Sequence, residues 1–430
     1  MALATVPNAG TFDLEIDTGF IVDAFTLDSA TKGVLDNTSY TLDGTTSYAS
    51  VTTGVISASI NRGRRDPLDP IAAGMFSFVL NDTLVNGLFG PFDTSSPFYN
   101  DVANVPGLAP GREVRFTRYD SANNPEYLFV GTIVNYDYNF SLGGLDTITV
   151  LCADGFYKLA NTYLTGHNPT KEFTGARINA ILDRAEVDYP TGAARDISTG
   201  TVELGGGGSY AIPEGTNVKA YFDDISYSAE RGRIFLSRDN VLVSQDRTGV
   251  TLSSPVVLFS DSGDTPYQSL GITFQAENII NRVAVTPAGG SQQVAEDLPS
   301  QAEYFVKSLY IDRSLLHDNT AALDLANYLL FPEPEPRFDA VETSYTRLTA
   351  AQRDACAIVD LGDTIQVSKR VIVNGTPTTR TEELSVEGIE HRIGFASGMT
   401  SRYFTAPTNV VYALILDDPN NGLLDFNALA

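Results

Sequence analysis

The residues best suited to catalysis are few in this chain and stand far apart. The three histidines are His167, His317 and His391, and none has a metal-ligating residue three or four positions further along, as a zinc-binding helix requires. The sequence contains no Gly-x-Ser-x-Gly motif for a nucleophile, and no pair among its many acids stands out as the carboxylates of a glycosidase. We therefore expect no enzymatic activity, no bound metal and no cofactor.

Four further features have simple structural interpretations. Cys152 lies on an alternating strand and Cys356 on a short predicted helix, so we predict two buried free thiols rather than a disulfide. The segment 417–422 resembles a calcium loop, but a proline occupies a ligand position, which favours a turn. The glycines at 205–208 lack a following lysine and a strand-to-helix context, so they predict a flexible loop rather than a phosphate site.

Basic residues cluster at only one place, Arg62, Arg64 and Arg65. The chain has 53 acids and 28 Lys or Arg, for a formal net charge of −25. Because DNA binding through phosphates needs clustered cations, we expect no specific nucleic-acid binding. Two interpretations of the cluster remain open: a solvated turn at the end of a strand, or a basic group that pairs with carboxylates of a neighbouring subunit.

Hydrophobic periodicity predicts a mainly β chain with an α/β insertion. Apolar residues alternate through much of 57–160, as in half-buried antiparallel strands. Helical spacing replaces this alternation at 171–187 behind Thr174, at 218–229 behind Asn217, after Asp318 and at 349–359. No apolar run approaches the roughly 20 residues of a membrane-spanning helix, and the N-terminus has no secretion-signal pattern, so we expect neither membrane insertion nor secretion.

Several short segments occur in an order that is specific in combination. They are 56–65, 73–82, 92–99, 110–115 and 152–160, followed by Asn281-Arg-Val283, Leu361-Gly-Asp363 and Val386-Glu-Gly-Ile-Glu-His391. In this order the segments resemble the minor tail proteins, or tail-tip hub proteins, of long-tailed siphophages. The resemblance extends to about Ile393.

The patterns and the resemblance together predict two barrel-like hub domains and extended terminal segments. The predicted units are an N-terminal extended or hairpin segment at 1–50, a first hub β-barrel at 51–164, an α/β insertion at 165–265, a second barrel-like domain at 266–400 and a C-terminal docking segment at 401–430. We also expect the two barrels to superpose as related structures.

The resemblance implies a structural virion protein at the distal end of a tail. Such a hub joins the end of the tail tube to fibres or receptor-binding proteins and lines the DNA exit path. It implies a homotrimer, with a distal tail ring protein, a tape-measure protein and fibre or receptor-binding proteins as partners. One alternative is a receptor- or carbohydrate-binding tail fibre, which needs exposed aromatic rings; another is a tail-associated cell-wall hydrolase, which needs a catalytic group not found here.

The two ends of the chain carry a similar pattern, because 24–36 aligns with 413–425 without a gap. We predict that each copy is a hooked strand or hairpin that docks on neighbouring subunits or tail proteins by strand addition. The residues proposed for this interface, besides the three arginines, are Leu27, Asp28, Gly33, Leu35 and Asp36 in the first copy and Leu416, Asp417, Gly422, Leu424 and Asp425 in the second.

Overall fold

The computed structural model describes most of residues 3–407. Within that range it leaves out 23–24, 26, 28–32, 35–41, 43, 67–68, 82–89, 91–93, 95, 97, 101–103, 143 and 248–253.

The described part of the chain is mainly β, as predicted. Its strands are β1 Ala4–Val6, β2 Gly10–Asp17, β3 Tyr48–Ser50, β4 Val55–Gly63, β5 Ala72–Asn81, β6 Tyr99–Asn100, β7 Val105–Pro106, β8 Glu113–Tyr119, β9 Pro125–Asn139, β10 Thr147–Ala153, β11 Tyr163–Leu164, β12 Glu172–Phe173, β13 Arg195–Ile197, β14 Glu203–Leu204, β15 Thr216–Asn217, β16 Arg233–Leu236, β17 Leu242–Gln245, β18 Val257–Ser260, β19 Ser269–Thr273, β20 Arg282–Pro287, β21 Gln293–Glu296, β22 Ser308–Ser314, β23 Arg337–Ser344, β24 Thr364–Val373, β25 Thr376–Gly394 and β26 Gly398–Pro407. Its α-helices are α1 Phe156–Ala160, α2 Thr174–Leu182, α3 Val218–Ile225, α4 Leu298–Tyr304, α5 Asn319–Tyr328 and α6 Ala350–Ile358.

One 14-stranded sheet runs through the molecule in the order β1-β2-β8-β9-β10-β5-β4-β25-β26-β23-β19, with β3 on β2, β24 on β25 and β18 on β24. We call β1 to β5 with β8 to β10 the first lobe, and β18, β19 and β23 to β26 with α6 the second lobe. The antiparallel pair β4 and β25 joins the lobes, with Ile60 opposite His391. The two lobes are therefore connected by backbone hydrogen bonds and not only by a linker.

The core of the first lobe follows from the alternation in the sequence. Phe76 and Phe78 of β5 are fully buried, and the rings of Phe12 and Phe129 join them in the interior. The ring of Phe76 lies 5.0 Å from that of Phe116 and 5.2 Å from that of Phe129. Each buried ring contributes about 2 kcal/mol through removal of apolar surface from water.

The core of the second lobe contains a hydrogen-bonded polar group. Ser401 donates from Oγ to the Tyr345 hydroxyl at 3.1 Å, and its Oγ lies 2.7 Å from Nδ1 of His391. The Tyr403 hydroxyl donates to the carbonyl oxygen of Cys356 at 2.6 Å. These partners satisfy polar groups that would otherwise destabilise a buried site.

A third body, the side lobe, packs against the sheet. It contains β11 to β17 with α2 and α3, and also β20 to β22 with α4 and α5. The sequence placed 282–311 in the second barrel, but here β20 pairs with β21 and β22 in a separate three-stranded sheet. Ser314 donates from Oγ to the carbonyl oxygen of Ser228, which ties this small sheet to the insertion.

Helix starts agree well with the predictions. Asn217 Oδ1 accepts the Ala220 N–H at 3.0 Å, Asp318 Oδ1 accepts the Ala321 N–H at 2.9 Å, and Thr349 forms a capping box before α6. The prediction for α2 is wrong in one detail: Phe173 is the N-cap, Thr174 is the first helical residue, and the helix ends at Leu182.

Candidate functional site: a buried ion-pair junction

Arg62 connects the three lobes. It lies on β4 and is 4% exposed. Its Nη2 donates to the carbonyl oxygen of Leu236 in the side lobe at 2.7 Å and to Oδ1 of Asp360 in the second lobe at 2.6 Å. Oδ2 of Asp360 accepts the backbone N–H of Arg238 at 2.8 Å, so this carboxylate also binds the side lobe. The first and second lobes are thus fixed to the side lobe through one guanidinium and one carboxylate.

Glu387 forms a second ion-pair group close to the first. This β25 side chain is 2% exposed, and its Oε2 accepts from Nη2 of Arg64 at 2.7 Å while its Oε1 lies 2.8 Å from Nη2 of Arg233. Burial alone would favour the neutral acid, yet Arg233 and Arg64 hold the pKa of Glu387 below its usual value. The carboxylate is therefore charged at neutral pH and pairs with one arginine from the first lobe and one from the side lobe.

Gly63 permits the close approach of β4 to β25 at this junction. It has a φ of +85°, and a Cβ placed on it would lie 2.2 Å from the carbonyl oxygen of Glu387. The Arg64 N–H donates to that same carbonyl oxygen at 2.8 Å. Only glycine combines this positive φ with this contact.

Asp154 adds a further buried carboxyl group near the arginines. Its Oδ2 accepts the Gly74 N–H at 2.7 Å and its Oδ1 accepts the Phe156 N–H at 3.0 Å. Burial raises the pKa of Asp154 to about 6 although these donors and Arg62 act in the opposite direction. We define the ion-pair junction as Arg62, Arg64, Arg233, Asp360 and Glu387.

The arginine cluster thus divides into two kinds of residue. Arg62 and Arg64 have carboxylate partners within the same chain, whereas the sequence hypothesis placed the partners on a neighbouring subunit. Arg65 is exposed, and its guanidinium lies over the Phe404 ring at 5.2 Å from the centroid. It has no ion pair with any described residue, so of the three arginines it is the one whose charge is available to another molecule.

Of the other predicted interface residues, only Leu27 and Gly33 lie in the described part of the chain. Leu27 is 77% exposed, and Gly33 is partly buried. Asp28, Leu35 and Asp36 lie outside the described residues, as do Leu416, Asp417, Gly422, Leu424 and Asp425. Their role in docking stays a prediction.

The candidate nucleophiles are inaccessible. Both cysteines are buried and free, as predicted, and burial raises the pKa of Cys356 to about 12. His391 is buried, and mainly this burial, with Arg62 nearby, lowers its pKa to about 3. The described residues contain no cluster of three or more metal-ligating side chains. Within the same part of the chain, no helix is both long and apolar enough to cross a bilayer.

Sequence reasoning missed the acidic half of the junction. Glu387 lies within the recognised segment 386–391, but its pattern gave no sign of a buried charge. Asp360 and Arg62 are 298 positions apart, and Arg233 lies on the short strand β16, far from both in sequence. The one available signal was the arginine cluster itself, because clustered cations in an acidic chain indicate nearby carboxylates.

Comparison with known proteins identifies the fold. No protein-family model and no curated protein matches this sequence. The tail protein from Neisseria meningitidis MC58 is 14% identical and superposes with a TM-score of 0.52, covering 84% of this chain and 93% of its own. The 43 kDa tail protein of prophage MuSo2 from Shewanella oneidensis is 10% identical, with a TM-score of 0.52 and coverage of 84% and 95%. These likenesses show a shared fold, which agrees with the resemblance to tail proteins noted in the sequence.

Proposed function

We propose that this chain is a structural protein at the distal end of the tail of a long-tailed virus, where it forms a hub between the tail tube and fibres or receptor-binding proteins. The observation that carries this proposal is the fold, which two tail proteins share over 84% of this chain. The order of the sequence motifs supports the same role.

The ion-pair junction suits a protein that bears load. A hub must keep its lobes in one relative arrangement while neighbouring proteins pull on them. The β4–β25 pair provides a continuous backbone connection, and the buried charges of Arg62 and Glu387 favour the one arrangement in which both are paired. Separation of the lobes at this junction would remove Arg62 and Glu387 from these partners.

The strong negative charge suits a protein that borders a DNA exit path. A net charge of −25 repels the phosphates of passing DNA and limits adhesion. In this proposal the chain forms a homotrimer that contacts a distal tail ring protein and a tape-measure protein. Arg65 and Leu27 are the described residues proposed to contact neighbouring subunits, because both are exposed.

One observation favours receptor binding as a second candidate function. The rings of Tyr136, Tyr138 and Phe140 stack along β9 with centroids 6.2 Å apart at each step. Phe140 is 66% exposed beside the exposed Leu142 and Leu145 at the tip of the β9–β10 hairpin. Such a ring can stack on a sugar or pack on a receptor.

A virus in which the gene carries a premature stop codon tests the proposed function. We expect such particles to have filled capsids but tails that are absent or lack a tip, and a wild-type copy supplied in trans to restore infectivity. Complementation with Phe140→Ala separates the hub role from receptor binding. Normal tails that no longer adsorb to cells would indicate receptor binding. Normal tails that adsorb normally would support the hub role without receptor binding. Complete, infectious tails without any copy of the protein would contradict the hub proposal.

A further inference from the structure

A narrow cleft lies between the side lobe and the second lobe, next to the ion-pair junction. Its volume is about 130 Å³, and Arg231, Arg247 and Arg337 line it together with Tyr328 and Phe331. We call it the arginine cleft. Arg231 follows the last turn of the α3 region with a φ of +54°, and Arg337 is the first residue of β23.

Five arginines line the cleft, and two of them, Arg64 and Arg233, pair with Glu387. The other three are not neutralised by the described residues. No carboxylate of that part of the chain lies within ion-pair distance of Arg231, Arg247 or Arg337. Arg247 instead donates to the carbonyl oxygens of Ala229 and Glu230, at 2.9 and 3.0 Å. Nε of Arg337 is buried and has no hydrogen-bond partner among the described residues.

Arg231 is the least favourably placed of the three cations. Its contacts are the ring of Tyr227, 5.0 Å away, and the Tyr227 carbonyl oxygen at 3.4 Å. Burial and then the positive charges of Arg64 and Arg247 lower the pKa of Arg231. Three acids line the cleft, Asp246, Glu335 and Glu387, against five arginines, and Glu387 is already bound by two of those arginines. An anion in the cleft would relieve this repulsion.

The same chain has an acidic segment that starts at the cleft. Ala406 and Pro407, the last described residues, form part of the cleft wall. Residues 408–430 contain Asp417, Asp418 and Asp425 but no Lys, Arg or His. The ten positions from Pro407 to Asp417 reach up to roughly 35 Å when extended, which is enough for a return to the cleft.

The apolar lining fits this segment as well. Residues 410–416 are uncharged and mostly aliphatic, and the cleft offers Ile280, Leu329 and Phe331 beside its arginines. A volume of about 130 Å³ is too small for a nucleic-acid duplex.

We propose that the arginine cleft is the docking site of the acidic C-terminal segment, 408–430, of the same chain, with Asp417 and Asp418 next to Arg231 and Arg247. In the free protein this contact holds the segment on its own chain, before any neighbouring tail protein is present. The inference does not depend on the proposed function.

Cleavage of the full-length protein by chymotrypsin tests the proposal, because Tyr412 and Phe426 lie in the segment. We expect Arg231→Glu to accelerate cleavage at Tyr412 about tenfold, which corresponds to about 1.4 kcal/mol of lost contact. The double variant Asp417→Arg with Asp418→Arg should accelerate this cleavage by the same factor. The combination of all three changes should restore protection. Arg402→Glu is the matched control. Like Arg231, Arg402 lies over an aromatic ring and has no ion pair with a described residue, but it lies outside the cleft. This substitution should leave the cleavage rate unchanged.

Three results would overturn the proposal: equal cleavage of wild type and variants, failure of the combined variant to regain protection, or acceleration by Arg402→Glu. A photo-crosslinking amino acid in place of Tyr412 identifies the chain that is bound. A crosslink to the cleft within a monomer supports the proposal, whereas a crosslink between two copies contradicts it. Binding of a 20-nucleotide single strand that Arg231→Glu abolishes would show a nucleic-acid site instead.

Discussion

Arg62 and Asp360 lie 298 positions apart in the chain, yet Nη2 of the arginine donates to Oδ1 of the aspartate at 2.6 Å. The same Nη2 also donates to the carbonyl oxygen of Leu236. Arg62 therefore fixes the first lobe, the second lobe and the side lobe relative to one another, so the stability of the folded chain should depend on this side chain.

Replacement of Arg62 by Met should destabilise the protein by about 3 kcal/mol, because it leaves Asp360 without its charged partner in a largely buried site. Urea unfolding followed by tyrosine fluorescence and circular dichroism measures the loss. Arg65→Met is the matched control and should change stability by less than about 0.5 kcal/mol, since Arg65 is exposed. Equal effects of the two substitutions would show that Arg62 does not connect the lobes.

Glu387→Gln should cost about 3 kcal/mol, because Arg64 and Arg233 then remain buried beside a neutral amide. Glu390→Gln, on the same strand, removes a pair with an arginine that is 70% exposed and should have little effect. Thermal unfolding of both variants at low and high salt checks this. A Glu390 variant as unstable as the Glu387 variant would contradict the importance of burial.

Two glycines with nearly equal φ angles separate backbone strain from close contact. Gly63 and Gly111 have φ of +85° and +89°, but a Cβ on Gly111 meets nothing within 4 Å, whereas one on Gly63 meets the Glu387 carbonyl oxygen. Gly111→Ala should cost about 1 kcal/mol from strain alone. Gly63→Ala should cost about 2–4 kcal/mol because β4 and β25 must also separate. Similar losses in both variants would mean that the contact is easily relieved.

His391 should make the protein less stable in acid. Its pKa is about 3 in the folded protein and 6.5 in an unfolded chain. The unfolded chain therefore binds a proton that the folded one does not, and stability falls as pH drops from about 6.5 towards 3, by up to about 1.4 kcal/mol per pH unit.

The stability difference between wild type and His391→Gln, which has no ionisable ring, should shrink over this range. The opposite contribution of Asp154, whose raised pKa makes stability fall as pH rises from about 3.8 to 6, is common to both proteins and cancels. A difference that is independent of pH would contradict the burial of a neutral histidine.

Local features of the fold were predictable from sequence because their causes are local. Side chains two apart share a face of a strand, so the alternation around Phe76 and Phe78 indicated a buried face correctly. The caps at Asn217 and Asp318 were equally recognisable, because a cap bonds to a residue three positions away.

Features that depend on distant residues were not predictable. Alternation does not say which strands become neighbours, so the pairing of β4 with β25 and the separation of β20 to β22 from the main sheet had no local signal. The same holds for Glu387, whose surroundings are arginines from two other parts of the chain. Arg62 illustrates the limit: its cluster indicated carboxylate partners, but sequence did not reveal that those partners lie within the chain.

The most direct test of the proposed tail-tip role is electron microscopy of virus particles that carry this protein, labelled with a gold-conjugated antibody against it. We expect gold at the end of the tail that is distal to the capsid, on nearly every intact particle, and no gold along the tube. Label on the capsid or along the whole tail, or absence of the protein from purified particles, would contradict the account.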